Sequence, residues 1–313
     1  MFYDPAGIFN TAILLGKLNQ TNEVFSPLSG KATYSETENE LTVKAKNHTF
    51  IFSKRDGQLK GVSVNNHKIS FANGPRFIGA RRADRSLDQF YNHDDEKAKE
   101  KDRTYSEFPD AAVFTKLEVK EDGGNLIVTA NYKLGNLDKA QWTINPNGEA
   151  ALDYTYNFSG VVDLIGISFD YPEDQVISKR WLGAGPYRVW QNRIHGTQYD
   201  VWENDYNDPI PGETFTYPEF KGYFDSVSWM NIRTKEGTIS LTNETPDSYI
   251  GVYQPRDGRD RLLYTLPESG ISVLDVIPPV RNKVNSTDLC GPSSQPKWVN
   301  GPQTGRIIFR FME

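Results

Sequence analysis

Short segments of alternating apolar and polar residues, separated by turn residues, occupy the chain from about Leu41 onward. Alternation with a period of two is typical of β-strands that bury one face. Residues 112–120 and 125–133 form one such pair, and the Glu-Asp-Gly-Gly sequence between them predicts a hairpin turn. Because such segments recur at regular spacing, the sequence predicts an all-β fold, an antiparallel sandwich or barrel, rather than alternating βα units.

The domain organisation follows from length and from the two segments that break this pattern. A chain of 313 residues would suggest about two domains, but large all-β sandwiches often use that length for one. Residues 1–40 lack clear alternation, so we interpret them as a linker or a remnant of an upstream domain. Residues 86–101 are densely charged, which predicts a solvated loop or a short surface helix.

Charge and hydropathy exclude several classes of function. The chain carries 35 Lys and Arg against 41 Asp and Glu, a net charge of −6, whereas a nucleic-acid binder needs a basic face. No apolar run approaches the roughly 20 residues that span a bilayer, so we expect neither nucleic acid nor a membrane as partner. The N-terminus is a poor signal peptide and Cys290 is a lone cysteine, which leaves cytoplasm and periplasm both open.

The usual catalytic and metal-binding motifs are missing from the sequence. It contains no His-Glu-x-x-His, no phosphate-binding glycine loop and no Gly-x-Ser-x-Gly, and one cysteine cannot form a zinc cluster. We therefore expect no metal and no cofactor. His48 and His67 lie in strand or turn contexts typical of structural residues, whereas His93 and His195 could reach a ligand.

Aromatic residues are concentrated between residues 181 and 229, where four of the six tryptophans lie among arginines and carboxylates. Sugars present apolar C–H faces and polar rims, so aromatic rings beside charged side chains are typical of a carbohydrate site. The same rings could equally fill the core of a sandwich. A second cluster contains Arg76, Arg81, Arg82 and Arg85, whose partners could be carboxylates of the protein or of a ligand.

Four blocks of residues form an ordered set of motifs between residues 41 and 311. The matching positions are Phe50, Phe52, Gly57, Leu59, Gly74, Pro75 and Arg82-Ala83-Asp84 in the first; Trp181-Leu182-Gly183-Ala184-Gly185-Pro186 and Asn192-Arg193 in the second; residues 215–232 with Pro218 and Trp229 in the third; and Cys290-Gly291, Pro296-Lys297 and residues 306–311 in the fourth. In this order they resemble the C-terminal domain of family 2 beta-galactosidases, also called the small chain or domain 5.

The resemblance implies a galactose mutarotase-like supersandwich, a single antiparallel β-sandwich domain over residues 41–313. In the family, the two catalytic carboxylates lie in a barrel that precedes this domain, and retaining glycosidases hold such a pair about 5 Å apart. This chain has no room for that barrel. We therefore expect a carbohydrate-binding accessory domain of a family 2-type glycoside hydrolase, inactive alone and without catalytic residues, whose partners are a carbohydrate ligand and an upstream catalytic barrel domain or chain.

The resemblance also implies where a sugar would bind. The loop after Gly74-Pro75 and the segment after Gly185-Pro186 should approach one edge of the sandwich. The predicted site residues are Arg81, Arg82, Asp84, Arg188, Trp190, Arg193 and His195. Trp190 is expected to stack on a pyranose, and the arginines to bind hydroxyls or carboxylates. Because Arg81 stands where the family has Trp, and Arg188 where it has Glu, we expect an acidic or decorated sugar rather than plain galactose.

Two further functions stay open at this point. A stand-alone enzyme on the same fold, an aldose 1-epimerase or a polysaccharide lyase, would need a general acid and a general base at the sugar. For an epimerase, only His195 or His93, with Glu203 or Glu219, could take these roles. The other alternative is a structural or interaction module in which all the aromatic residues belong to the core.

Overall fold

The computed structural model describes residues 30–82, 105–108, 111–205, 222–252, 270–279 and 291–313. These residues form twenty β-strands and two short 3-10 turns (Glu173–Gln175 and Pro292–Ser294), with no α-helix among them. The strands are β1 (Thr33–Glu36), β2 (Glu40–Ala45), β3 (His48–Ser53), β4 (Leu59–Val64), β5 (His67–Ile69), β6 (Ala72–Arg82), β7 (Tyr105–Glu107), β8 (Val113–Asp122), β9 (Asn125–Lys133), β10 (Leu137–Ile144), β11 (Ala150–Val162), β12 (Leu164–Asp170), β13 (Val176–Gly185), β14 (Gln198–Asp205), β15 (Phe224–Asp225), β16 (Trp229–Thr234), β17 (Gly237–Asn243), β18 (Tyr249–Val252), β19 (Ile271–Val276) and β20 (Lys297–Met312).

The strands form two antiparallel sheets. In the first sheet the order is β1-β2-β3-β4-β6-β12-β19-β18-β15, with β5 beside β4 and β7 beside β6. In the second sheet it is β14-β13-β16-β17-β20-β11-β10-β9-β8. One hydrophobic core draws residues from both sheets, so the predicted all-β antiparallel sandwich is confirmed.

The predicted hairpin between residues 112–120 and 125–133 corresponds to β8 and β9. Gly123 and Gly124 connect them with φ angles of 59° and 95°. Positive φ at both central residues is the requirement of a type I′ turn, which glycine meets without a steric penalty. The local sequence therefore determines this connection.

The centre of the core is a set of aromatic rings that joins the two sheets. Phe309 of β20 lies with its ring centroid 5.4 Å from that of Phe169 in β12 and 5.1 Å from that of Phe71. On the second sheet, Trp142 of β10 lies 5.9 Å from Phe309. All four side chains are almost fully buried, and rings at these separations add attraction beyond the burial of their area.

The sequence analysis placed two segments outside the sandwich, residues 1–40 and residues 86–101. The first sheet begins with β1 (Thr33–Glu36), which pairs with β2 and lies within the stretch 1–40 that the sequence assigned to a linker. The described sheet therefore starts before the predicted boundary at residue 41. The charged segment 86–101 lies outside the described residues.

We expect Phe309→Ala to destabilise the fold by about 3–5 kcal/mol, because it opens a cavity where both sheets meet. Trp298→Ala, on the same strand, is the matched control, since this side chain is 67% exposed and should change stability by no more than about 0.5 kcal/mol. Urea unfolding of both variants measures the difference. Equal losses would contradict the position assigned to Phe309 at the centre of the core.

Candidate functional site

A second, smaller hydrophobic cluster lies on the face of the first sheet that points away from the core. Phe77 of β6 belongs to the main core, whereas its neighbour Ile78 belongs to the smaller cluster. Leu164 in β12 and Leu274 in β19 also belong to it, each beside a residue of the main core. Because successive side chains of a strand point to opposite faces, the smaller cluster covers the outer face.

The segment of residues 188–195 packs on this outer face. Val189 and Trp190 belong to the smaller cluster with Tyr223, and Ile194 packs against it. Val189 and Tyr223 exchange two backbone hydrogen bonds of 2.7 and 2.8 Å. Gly222 permits this approach, since a Cβ atom there would lie 2.0 Å from the Val189 carbonyl oxygen. The second and third blocks of the family resemblance therefore meet here.

Gln191 and Asn192 connect the 188–195 segment to the fourth block. The Gln191 side-chain amide donates to the carbonyl oxygens of Ser293 at 3.0 Å and Gln295 at 2.8 Å. The Asn192 amide donates to the Ser294 hydroxyl at 2.9 Å. These bonds hold the segment against the 3-10 turn that precedes β20, so residues about a hundred positions apart form one surface.

Of the predicted site residues, the 188–195 segment contains four. Arg188 is half-buried, with its guanidinium carbon 5.9 Å from the ring centroid of Phe224, while Arg193 and His195 are exposed. Trp190 is buried.

Of the remaining predicted site residues, Arg81 and Arg82 belong to the end of β6. Arg81 is half-buried, and Arg82 ends β6, where its backbone pairs with Tyr105. Asp84 lies outside the described residues. The position of Ile78 beneath Val189 and Trp190 brings β6 to the same face as the 188–195 segment, and the proximity of Arg82 to Arg193 stays a prediction.

Trp190 requires a correction. Its side chain is only 4% exposed, and its ring meets Tyr223 edge to face at a centroid distance of 5.7 Å. A pyranose cannot stack on a ring enclosed in this way, so the expectation of Trp190 as a stacking platform is wrong. Its indole Nε1 is nevertheless buried without a hydrogen-bond partner.

Gln191 is a candidate that the sequence analysis missed. Its amide nitrogen is paired twice, but its Oε1 is buried without a partner. Buried polar atoms are normally paired with protein or water, so an unpaired donor on Trp190 and an unpaired acceptor on Gln191 need explanation. A hydroxyl group can accept one hydrogen bond and donate another, so it matches this pair chemically. In the sequence, a glutamine in a polar turn gives no signal of burial.

The other aromatic residues of the 181–229 region divide between core and surface. Trp181 is fully buried and packs edge to face against Phe224 at 4.8 Å, and Trp229 is 8% exposed. Tyr187 and Tyr199 are 46% and 43% exposed. Core packing therefore explains Trp181 and Trp229, and among the described residues Tyr187 and Tyr199 are exposed rings of this region.

The residues considered for epimerase chemistry are not brought together in the described part of the chain. His195 is exposed and has no hydrogen bond to a carboxylate among the described residues, and Glu203 lies on β14 opposite Arg180. His93 and Glu219 lie outside the described residues. Within the same ranges, no group of three His, Cys, Asp or Glu residues could hold a metal ion, and no helix could cross a membrane.

Comparison with known proteins gives one family and several similar structures. The family model described as beta galactosidase small chain matches residues 44–271. No curated protein sequence matches. A galactose 1-epimerase from Lactobacillus acidophilus NCFM is 10% identical with a TM-score of 0.46, covering 91% of this chain and 99% of the other. A galactose mutarotase-like protein from Lactobacillus casei ATCC 334 is 10% identical with a TM-score of 0.37, covering 90% and 99%.

A carboxyl group with a perturbed pKa lies between the sheets, one residue from the site cluster. Asp275 follows Leu274 on β19 and accepts a hydrogen bond from the Tyr156 hydroxyl of β11. Burial raises the pKa of Asp275, and the hydrogen bond from Tyr156 only partly opposes this. Burial also raises the pKa of Tyr156, because an ionised ring would lie in an apolar interior beside the Asp275 carboxyl.

We expect the stability of the protein to fall with rising pH through the titration of Asp275. Because the folded-state pKa is raised, the stabilisation is fully present below about pH 3.9, the ordinary Asp value, and is lost as pH rises through the folded pKa. Asp275→Asn cannot ionise, so relative to the parent it should gain stability between acidic and neutral pH. Tyr156→Phe removes the opposing hydrogen bond and should steepen the decline. Urea unfolding of all three proteins across this range measures the effect, and parallel profiles would contradict it.

Proposed function

The chain belongs to the beta-galactosidase small chain family, and we propose that it is a carbohydrate-binding accessory domain of a family 2-type glycoside hydrolase. Membership of this family identifies the chain as a galactose-related domain. The accessory role, the binding site and the partner are the proposal. The observation that carries the binding role is the pair of unpaired buried polar atoms, Trp190 Nε1 and Gln191 Oε1, in the 188–195 segment.

The proposed site uses this pair to bind a sugar hydroxyl. A buried polar atom without a partner costs about 1–3 kcal/mol, and a ligand that pairs with it recovers this penalty. A hydroxyl bound here would accept a hydrogen bond from the Trp190 indole or donate one to the Gln191 amide oxygen. Water can occupy such a site in the free protein, and a sugar would displace it while reproducing its hydrogen bonds.

The charged part of the proposed site favours an acidic or decorated sugar. Arg193 and His195 are exposed at the end of the 188–195 segment, and Arg188 is half-buried at its start. Guanidinium groups bind carboxylates in a planar, paired geometry, which gives both affinity and orientation. Arg81 and Arg82, at the end of β6, and Asp84 complete the proposed site.

The proposed partner is a catalytic barrel, as a separate chain or as another domain of the same protein. In the family that this chain resembles, the two catalytic carboxylates belong to that barrel, so this domain would contribute sugar binding rather than bond cleavage. The outer face of the first sheet, with the 188–195 segment on it, would then face the substrate.

We expect a glycan array to detect binding of this chain to galactosides or uronate-containing sugars. Gln191→Ala and Arg193→Ala should each weaken binding of the best ligand by at least about 1 kcal/mol, or about a fivefold rise in Kd. Arg55→Ala is the matched control, because this exposed arginine contacts Asn39 at the other end of the first sheet. Calorimetry measures the change. Unchanged affinity in both site variants, or equal loss in the control, would place the site elsewhere.

We expect the isolated chain to hydrolyse no aryl-galactoside, because the proposed catalytic carboxylates belong to another domain. A p-nitrophenyl-galactoside assay on protein free of host enzyme tests this, and turnover above background contradicts it. A parallel mutarotation assay on glucose and galactose separates the accessory role from a stand-alone epimerase, which would accelerate equilibration of the anomers.

A further inference from the structure

Strand β8 forms one edge of the second sheet. Among the described residues it pairs only with β9, so its other side has no strand partner there, and most of its residues are exposed. Unpaired edge strands invite pairing with another chain, and proteins either block them or use them. A register irregularity lies between Phe114 and Lys116, which leaves residues 116–122 as the regular part of this edge.

The hairpin turn determines which backbone groups of β8 are free. Asp122 pairs with Asn125 across the two-residue turn, and in a type I′ hairpin this pair is joined by hydrogen bonds. Hydrogen-bonded and non-hydrogen-bonded pairs alternate along an antiparallel ladder. Residues 118, 120 and 122 therefore direct their N–H and C=O groups to β9. Leu117, Val119 and Glu121 direct theirs to the free edge.

We propose that a second copy of this chain docks on this edge, with the two β8 strands antiparallel about a two-fold axis at Val119. Val119 then pairs with its own symmetry mate, and Leu117 pairs with Glu121 of the other copy. By symmetry, Glu121 also pairs with Leu117 of the other copy. The resulting three pairs use all the backbone groups between 117 and 121 that point away from β9. The result is one continuous sheet that runs through both copies.

The charges of β8 are complementary in this arrangement. On the exposed face, Lys116, Glu118, Lys120 and Asp122 alternate in sign. A two-fold axis at Val119 places Glu118 opposite Lys120 and Lys116 opposite Asp122, twice each by symmetry. Glu118 and Lys120 occupy the non-hydrogen-bonded pairs, in which opposed side chains lie closest and ion pairs stabilise a sheet.

The two registers whose axis is displaced by one residue oppose like charges instead. An axis at Glu118 would oppose Glu118 to itself and Lys116 to Lys120, and an axis at Lys120 would repeat the conflict with Glu118 facing Asp122. Like charges directly opposite each other are unfavourable. An axis at Leu117 would bring the irregular end of β8 into the ladder. An axis at Glu121 would retain only the pair of Lys120 with Asp122 and would run into the hairpin turn, so the axis at Val119 forms the most ion pairs within the regular part of β8.

The existing contacts of these residues do not oppose the dimer. Lys116 and Glu118 form an ion pair of 2.9 Å within β8, and both side chains are more than half exposed. Exposed pairs of this kind contribute little, so exchanging the partner costs little. An interface of one strand is small, which places it in the weak, concentration-dependent class. Added salt should weaken it further because its ion pairs are exposed.

Sedimentation equilibrium of the full chain, from about 10 µM to about 1 mM at low salt, tests the proposal over the range of weak association. We expect a reversible monomer–dimer equilibrium. Glu118→Lys should raise the dimer Kd about tenfold, and Lys120→Glu should do the same, because each converts two attractive pairs into repulsive ones. The double variant Glu118→Lys/Lys120→Glu restores complementarity about the same axis and should dimerise like the parent.

Cross-linking provides an independent test of the register. In a hydrogen-bonded antiparallel pair the Cα atoms are about 5.5 Å apart, within the range of a disulfide. Val119→Cys in a Cys290→Ser background should therefore form a covalent dimer on oxidation, whereas Thr129→Cys on β9 in the same background should not. A chain that stays monomeric at about 1 mM, single variants that associate like the parent, or a double variant that does not recover would overturn the proposal.

Discussion

The structure depends on the alternation of side chains along β6, β12 and β19, the middle strands of the first sheet. On each strand one residue enters the main core and the next faces outward, as Phe77 and Ile78 do on β6. Because both faces carry apolar residues, the outer face has to be covered as well. The 188–195 segment provides that cover. The proposed sugar site is therefore a direct consequence of a sheet that is apolar on both sides at this place.

Strand β19 contacts both the interior of the sandwich and the segment that carries the proposed site. On β19, Leu274 lies under the 188–195 segment, and the next residue, Asp275, reaches across the core to Tyr156 of the second sheet. A shift of β19 would move both contacts together, because packed interiors transmit displacements with little compression. The contact of Asp275 with Tyr156 and the contact of Leu274 with the 188–195 segment therefore both depend on the position of β19.

Much of the fold could be predicted from local sequence, whereas the site could be predicted only in part. The β8–β9 hairpin follows from two adjacent glycines, and the sandwich follows from a period of two, since both signals act over a few residues. The burial of Trp190 and Gln191 depends on Tyr223, Pro278 and Ser293, which lie far along the chain. No local pattern distinguishes a buried glutamine from a solvated one, and none distinguishes a tryptophan that stacks on a sugar from one that fills a cluster.

The proposed sugar site rests on the unpaired atoms at Trp190 and Gln191. An apolar residue in place of Gln191 would remove the unpaired acceptor, but it would also leave the carbonyl oxygens of Ser293 and Gln295 without this donor. Gln191 instead uses its amide nitrogen to hold residues 293–295 and leaves its oxygen unpaired. An ordered water in the free domain, or a sugar hydroxyl in the proposed site, would offset the cost of leaving this oxygen unpaired. Deviations of this kind from otherwise consistent packing are expected where a protein binds something.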